Sequence, residues 1–205
     1  MDGAKRAFDV FFACVGLVLL SPLLGVLAVM IKMDSPGPVL YRQERVGRQG
    51  RLFRIYKLRS MCVDAASETH MTKFGRALRR NKLDELPQLI NVVKGEMSLV
   101  GPRPELPKFV ALYSPPDRDR ILSVRPGITD LASIEYIDED AMIASAADSE
   151  RLYIEQILPA KLELSLQYLQ KRSLVLDIVI ILRTVSRLFR LRARWDRLTS
   201  TGVVR

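Results

Sequence analysis

A pair of adjacent carboxylates and two arginine loops are the parts of this sequence best suited to phosphate chemistry. Asp84 and Glu85 follow each other, and Arg103 and Arg125 lie in the loops GPRP and RPG. Proline fixes the backbone of both loops, and stiffly held guanidinium groups suit bidentate binding of phosphoryl oxygens. We expect Pro126 and Gly127 at the centre of a type II turn. The alternative interpretation of each loop is an arginine that stabilises the turn by donating hydrogen bonds to carbonyl groups.

A short helix is predicted to carry the two carboxylates. Apolar residues recur at spacings of three and four along one helical face, and the helix is expected to end at Lys94-Gly95; they are Leu86, Leu89, Ile90 and Val93. Proline is tolerated only in a first turn, so Pro87 places Asp84 and Glu85 at the helix start. Asp84, Gln88 and Asn91 then share a second face. Ordinary helix capping would also explain acidic residues at this position.

The positive charge of the chain is concentrated near these residues. The 205-residue sequence has 32 Lys and Arg against 23 Asp and Glu, a formal charge of +9. Between residues 42 and 82 there are 12 basic and three acidic residues, which is the same excess of nine. Such a segment favours anionic partners, either phosphates or an acidic lipid surface. With one histidine, His70, and two distant cysteines, Cys14 and Cys62, the sequence excludes a zinc cluster and a disulfide framework.

The amino-terminal segment indicates membrane association. Ala7 to Ile31 is a run of 25 residues with a single charge, Asp9. It is longer than the ~7–15-residue core of a cleavable signal peptide and longer than a small domain needs for a core helix. Pro22 predicts a sharp bend, where the Ser21 hydroxyl can satisfy a freed carbonyl. The residues alone leave two topologies open, a kinked spanning helix and a re-entrant hairpin with both ends in the cytoplasm.

The remaining chain predicts an α+β, mainly α, fold with a short β-hairpin between Val39 and Met61 and amphipathic helices at the membrane interface. We divide the chain into a membrane segment (1–33), a catalytic domain (34–190) and a basic tail (191–205). Residues 173–182 are apolar but too short to span a bilayer, and basic residues flank them. They predict an interfacial helix, with a core helix as the alternative. The tail is predicted to contact lipid or to be disordered.

Several sequence blocks occur together in one order: KRAFD, the Ser21-Pro22 break, YKLRSM, LDELPQLINVVKGEMSLVGPRP and VRPGIT. They resemble the bacterial sugar transferases of the monotopic phosphoglycosyl transferase superfamily, and the resemblance covers roughly residues 5–187. The chain resembles the small, catalytic-domain-only members. In this family the Ser-Pro segment is a re-entrant helix, so the resemblance implies one that is broken at Ser21-Pro22.

The resemblance implies an enzyme of the cytoplasmic face of the bacterial inner membrane. It would transfer a phosphosugar from a UDP-linked sugar to a polyprenol phosphate, through a covalent phosphosugar-aspartate intermediate. Asp84 would be the nucleophile and Glu85 would hold Mg²⁺. Arg103 and Arg125 would clamp phosphoryl oxygens, and Lys57 and Arg79 would compensate the polyprenol phosphate or the same diphosphate. We expect Asp84, among these cations, to be ionised at neutral pH without a base.

Two other classes of protein compete with this hypothesis. A non-catalytic membrane scaffold that binds polyprenol phosphate or anionic lipid explains the basic segment, but it has no need of the carboxylate pair. A nucleic-acid binder explains the charge alone, so we expect no nucleic-acid partner. After PGIT, residues 130–136 depart from the Gly-x-x-Gln stretch of many similar proteins, which leaves the donor sugar open. The sequence also leaves open whether the protein forms homo-oligomers.

Overall fold

A computed structural model of the protein describes residues 2–63, 69–136, 139–144 and 148–200. The described chain is mostly helical with a few short strands, as the sequence predicted. It divides into two compact units, one built from residues 1–45 and 52–99 and the other from residues 46–51 and 100–205. The predicted boundaries at 33/34 and 190/191, which separate the membrane segment and the tail from the catalytic domain, stay a prediction. The amino-terminal helix packs within the first unit, and the last helix continues through residue 190.

The described part of the first unit contains three helices and four strands, apart from Val46 at the end of the first strand. The helices are α1 (Asp2–Asp34), α2 (Lys73–Arg80) and α3 (Gln88–Lys94). The strands are β1 (Leu40–Val46), β2 (Leu52–Leu58), β3 (Met61–Val63) and β4 (Thr69–Met71). The predicted hairpin is confirmed, since β1 pairs with β2. Strands β3 and β4 form a second, antiparallel pair.

Helix α1 has the length and composition of a membrane helix. It is the one described helix long and apolar enough to cross a bilayer. Large apolar side chains along it are exposed, including Val18 at 72% and Leu19 at 73%. A helix that belonged to a soluble core would bury such side chains. The structure therefore fits membrane association and does not support the alternative of a core helix.

Helix α1 continues through Ser21 and Pro22, the position of the predicted break. Pro22 has no N–H to donate to the carbonyl of Val18, one turn earlier. The Ser21 hydroxyl donates to this carbonyl instead, at 2.8 Å. This bond is the compensation that the sequence predicted for a freed carbonyl. Whether the continuous helix is bent at this point stays a prediction.

Both ends of α1 are fastened to the first unit. Near its start, Asp9 is 2% exposed and accepts hydrogen bonds from Lys5 Nζ at 2.9 Å and Ser98 Oγ at 2.8 Å. Near its end, Leu27 and Ile31 form a buried cluster with Leu58 and Leu78. The Arg59 guanidinium also donates to the carbonyls of Ser35 and Pro36, both at 2.6 Å.

The described part of the second unit contains seven helices. It also contains the short strand that follows Arg125. Its helices are α4 (Pro107–Val110), α5 (Pro115–Leu122), α6 (Leu131–Glu135), α7 (Glu139–Ala144), α8 (Ser149–Leu152), α9 (Leu158–Lys171) and α10 (Leu174–Ser200). Strand β5 (Ser98–Val100) pairs with β6 (Gly127–Thr129). A π-helical turn, Tyr153–Ile157, joins α8 to α9, and its buried residues pack with Phe109 and Tyr113.

Helix α10 has a buried side and an exposed apolar stripe. Asp177 and Ile180 are buried, at 1% and 0% exposure. The exposed stripe repeats at spacings of three and four and comprises Val175, Ile178, Leu182 and Val185. The helix therefore packs on one side, as a core helix does, and keeps an apolar face that suits the predicted interfacial position. The predicted role of the tail from residue 191 concerns side chains outside the described residues, although α10 itself extends to Ser200.

Candidate active site

The two carboxylates lie in a tight turn immediately before α3, as predicted. Leu83–Glu85 form a 3₁₀ turn, and Lys82 before it has a left-handed backbone with φ 54°. Asp84 and Glu85 are 5% and 9% exposed. Lys57, on β2, donates from Nζ to Glu85 Oε1 at 2.9 Å. The turn thus places two acidic side chains inside the first unit, with a lysine bound to one of them.

The environment of Asp84 makes its charged form costly. Its Oδ1 atom is buried and has no hydrogen-bond partner among the residues that the structure describes. Burial raises the pKa of the Asp84 carboxyl, and the negative charge of Glu85 raises it further, while Lys57, Lys82 and Arg79 lower it. Desolvation is the largest single effect on the pKa of this carboxyl, and the expected ionisation of Asp84 at neutral pH stays a prediction. A desolvated carboxylate among cations is a strong nucleophile towards a phosphoryl group.

Arg79 is held in place by the segment that follows β2. Its Nε donates to Ser60 Oγ at 2.9 Å, and its Nη2 lies 3.4 Å from Met61 Sδ. Gly75, in the first turn of α2, lets this helix approach the segment closely, because a Cβ there would collide with the Ser60 carbonyl. Arg79 is therefore fixed on its helix and lowers the pKa of Asp84 from a defined position.

Asn91 aligns the strand that carries Lys57. It is fully buried, and its side chain bonds the backbone of β2 on both sides of residue 55. Nδ2 donates to the Arg54 carbonyl at 2.8 Å, and Oδ1 accepts from the Tyr56 N–H at 3.0 Å. The register of Lys57 against the carboxylate turn therefore depends on a side chain from α3. The helical spacing predicted that Asn91 shares a face with Asp84, but it did not predict the contact of Asn91 with β2.

In the second unit, the structure brings the two arginine loops together. The Gly101 N–H donates to the Thr129 carbonyl at 3.1 Å, and the Gly127 N–H donates to the Pro102 carbonyl at 2.9 Å. Arg103 and Arg125 therefore extend from two crossing segments of backbone, and both side chains are half-buried. Sequence spacing gave no reason to expect this crossing, since the loops are more than 20 residues apart.

The crossing also corrects the predicted type II turn. Such a turn needs a positive φ at Gly127, but the described glycines with positive φ are Gly37, Gly50 and Gly95. Gly127 instead begins β6 and lies against the backbone of Gly101. Glycine is required here for the close approach of two chains.

Replacing Gly127 by alanine should therefore destabilise the second unit. A Cβ at Gly127 would collide with the backbone of Gly101, which cannot move as a side chain would. We expect Gly127→Ala to cost about 2 kcal/mol, a typical value for an overpacked site. The control is Gly25→Ala, where a Cβ meets nothing within 4 Å. Equal melting temperatures for the two variants would contradict the close crossing.

A buried polar network stabilises the segment that follows Arg103. Glu105 is 6% exposed and accepts from Tyr153 Oη at 2.7 Å and Lys161 Nζ at 3.0 Å. Lys161 also donates to Glu139 at 3.2 Å. Burial and the charge of Glu105 raise the pKa values of both Tyr113 and Tyr153. Both phenols therefore stay protonated, and Tyr153 remains a donor to Glu105. The network fixes one end of the GPRP loop to α9.

The chemistry of the donors fits the magnesium ion that the resemblance implies. Asp84 and Glu85 supply hard carboxylate oxygens, and one of them, Asp84 Oδ1, is buried without a hydrogen-bond partner. No group of three or more His, Cys, Asp or Glu able to hold a metal occurs among the described residues. A site at this pair therefore depends on substrate oxygens as well, which agrees with the preference of Mg²⁺ for one or two carboxylates plus phosphates.

Comparison with known proteins identifies the class of this chain. A family model described as bacterial sugar transferase matches residues 1–191. The protein therefore belongs to the bacterial sugar transferase family, and the resemblance drawn from its motifs is confirmed. Proteins of this family are bacterial and membrane-associated, in agreement with the long apolar α1.

Individual relatives carry related names. The chain is 39% identical over 197 residues to the UDP-N-acetylgalactosamine-undecaprenyl-phosphate N-acetylgalactosaminephosphotransferase of Aeromonas hydrophila. The aligned residues are 88% of this chain and 42% of that protein. It is 37% identical over 196 residues to the UDP-glucose:undecaprenyl-phosphate glucose-1-phosphate transferase of Caulobacter vibrioides, covering 90% and 69%. It is 36% identical over 196 residues to the exopolysaccharide production protein PSS of Rhizobium leguminosarum, covering 88% and 92%. The chain thus spans less than half of the Aeromonas relative.

Proposed function

We propose that this protein transfers a phosphosugar from a UDP-sugar to a polyprenol phosphate such as undecaprenyl phosphate. The names of the relatives supply the two substrate classes. The observation that carries the proposal is the Asp84 carboxyl, which is buried, lacks a partner at Oδ1 and lies under the influence of three cations. A scaffold would gain nothing from a carboxylate in such a costly position, so the enzyme is the favoured function.

The reaction proceeds in two displacements at one phosphorus atom. An Asp84 oxygen attacks the phosphorus that bears the sugar, and the bond from this phosphorus to the UMP oxygen breaks, so UMP leaves. A phosphate oxygen of the polyprenol phosphate then attacks the same phosphorus. The acyl phosphate bond breaks, the Asp84 carboxylate is regenerated, and polyprenol-diphosphate sugar is released. A covalent intermediate divides one difficult transfer into two easier steps.

The cations of the site have separate tasks in this proposal. Lys57 Nζ lies 2.9 Å from Glu85 Oε1 and so restricts the rotation of this second carboxylate. Arg79, fixed by Ser60 and Met61, compensates negative charge near Asp84. Arg103 and Arg125 bind phosphoryl oxygens of the nucleotide sugar or the lipid phosphate. Positive groups that are already in position stabilise the charge that develops in the transition state.

Glu85 would hold Mg²⁺, with substrate phosphate oxygens as further ligands. When bound, this ion would neutralise charge on the diphosphate and make UMP a better leaving group. Lys57 donates a hydrogen bond to Glu85 Oε1, so the turn already binds one positively charged group. The lysine and the metal would compensate the same carboxylate.

We further propose that α1 enters and leaves the membrane on the cytoplasmic side. Near its start, Arg6 donates to the carbonyls of Val92 and Val93 at 2.7 and 3.1 Å. Near its end, Arg59 donates to the carbonyl of Ser35. Because both ends bind the same unit, a spanning helix would require this unit to extend across ~30 Å of hydrocarbon. The exposed apolar side chains between these ends supply the surface for the lipid.

This topology predicts the accessibility of two engineered cysteines. After Cys14 and Cys62 are replaced by serine, Gly3→Cys and Asp34→Cys each carry one thiol at an exposed position near one end of α1. A membrane-impermeant maleimide should label both in inside-out vesicles and neither in intact spheroplasts. Lys94→Cys, at the exposed end of α3, is the control for the cytoplasmic side. Labelling of one end in spheroplasts would establish a spanning helix.

The proposed reaction is tested with a panel of nucleotide sugars. The protein in detergent receives undecaprenyl phosphate, Mg²⁺ and, separately, the UDP derivatives of glucose, galactose, N-acetylglucosamine and N-acetylgalactosamine. We expect UMP and a lipid diphosphate sugar in equal amounts with at least one donor. Lipid binding without UMP release from any donor would favour the scaffold.

A further inference from the structure

A second unpaired polar atom lies on the same helical face as Asp84. Gln88 is 1% exposed, and its Nε2 atom has no hydrogen-bond partner among the described residues. Most buried amides in proteins are hydrogen-bonded, because an unpaired donor has lost its hydration without replacement. A buried amide donor and a buried carboxylate oxygen four positions apart, neither of them hydrogen-bonded to a described residue, are therefore both available to a ligand.

The backbone places the two atoms on one side of the turn. Residues 83–85 form a 3₁₀ turn, Leu86 and Pro87 have right-handed helical dihedral angles, and α3 follows from Gln88. Asp84 and Gln88 are thus four positions apart in a segment with helical dihedral angles, and residues at about this spacing lie near each other on a helix surface. Since Asp84 Oδ1 and Gln88 Nε2 do not bond each other, a group between them can bond both.

Asn91 shows that burial alone does not explain the state of Gln88. Asn91 lies three residues further on and is also fully buried. Its Nδ2 donates to Arg54 O and Glu96 Oε2 at 2.8 and 2.7 Å, and its Oδ1 accepts from the Tyr56 N–H. The side chain of Asn91 therefore serves the fold, whereas the Gln88 amide makes no bond within the described part of the chain.

We infer that Gln88 is a further catalytic residue, whose Nε2 donates a hydrogen bond to a non-bridging oxygen of the phosphoryl group attached to Asp84. This inference depends on the proposed function. The amide is neutral, so it does not pair with the Asp84 carboxylate as a lysine would and does not reduce its nucleophilicity. It gains its partner only when the phosphoryl group arrives, and this is the property of a donor that stabilises a transition state.

Replacing Gln88 by methionine tests the inference. Methionine has a similar length and no donor, so the buried unpaired amide is removed without a large cavity. We expect phosphosugar adduct to form on Asp84 about 100-fold more slowly, as for other lost transition-state donors, with KM for the UDP-sugar nearly unchanged. The melting temperature should stay equal or rise. The matched control is Gln167→Met, at an exposed position on α9, which should leave both quantities unchanged.

The outcomes separate this inference from the proposed function. Wild-type protein that forms no adduct would refute the proposed function itself. If the wild type forms adduct and Q88M forms it equally fast, Gln88 alone is wrongly assigned. A fall in melting temperature that accompanies the loss of rate in Q88M and in a second variant, Q88L, or failure of both to fold, would show that the amide serves the fold and would overturn the inference.

Discussion

Asp84→Asn should abolish the release of UMP from a UDP-sugar while leaving the protein folded and bound to membranes. The substitution keeps the shape of the side chain but removes the anionic oxygen that attacks phosphorus. Loss of a nucleophile lowers turnover by at least about 10³-fold. The measurement is UMP release under saturating donor and lipid acceptor.

The thermal stability of this variant distinguishes a chemical defect from a folding defect. Burial raises the pKa of Asp84, so the folded protein holds this carboxylate at a cost. Removing the charge should therefore leave the melting temperature equal or higher. Asp34→Asn, an exposed aspartate at the end of α1, is a control that should change neither activity nor stability. Unaltered UMP release by Asp84→Asn would remove Asp84 from the mechanism.

Asp9→Leu should cause the largest loss of stability. Asp9 is 2% exposed and accepts from Lys5, from Ser98 and from the Leu99 N–H at 2.9, 2.8 and 3.2 Å. Without it, the ammonium group of Lys5, which is 6% exposed, loses the carboxylate of its ion pair. Removing one partner of a buried pair costs about 3–5 kcal/mol. In a chain of this size that corresponds to a fall of roughly 10 °C in melting temperature, measured in detergent.

A double variant tests whether the buried charge of Lys5 is the cause. Lys5→Met together with Asp9→Leu removes both charges, and replacing both partners of a buried pair by apolar residues is often close to neutral. We expect the double variant to recover part of the lost stability, although Ser98 and Leu99 still lack their acceptor. A double variant less stable than Asp9→Leu would contradict this account.

The sequence predicted the elements that local patterns determine. The β-hairpin between Val39 and Met61 was predicted as a local feature, and the end of α3 follows from Gly95, which has φ 87°. The carboxylate turn follows from Pro87, which restricts Asp84 and Glu85 to the start of a helix. In each case the deciding residue lies within a few positions of the feature that it determines.

The remaining features depend on contacts that are distant in the chain. Gly127 was expected to supply a positive φ, but it is required because the backbone of Gly101 lies against it. Asp9 was noticed as a charge in an apolar run, and its partners 89 and 90 positions away explain why the charge is tolerated. The raised pKa of Asp84 has the same origin, because burial depends on tertiary packing.

Trapping the covalent intermediate tests the central claim most directly. The protein is incubated with the UDP-sugar that it accepts and with Mg²⁺, but without polyprenol phosphate, and is then digested and analysed by mass spectrometry. The account predicts an added mass of one sugar phosphate on the peptide containing Asp84, and its disappearance on addition of the lipid acceptor. Complete turnover with both substrates present, but with no adduct on this peptide under any quench, would contradict it.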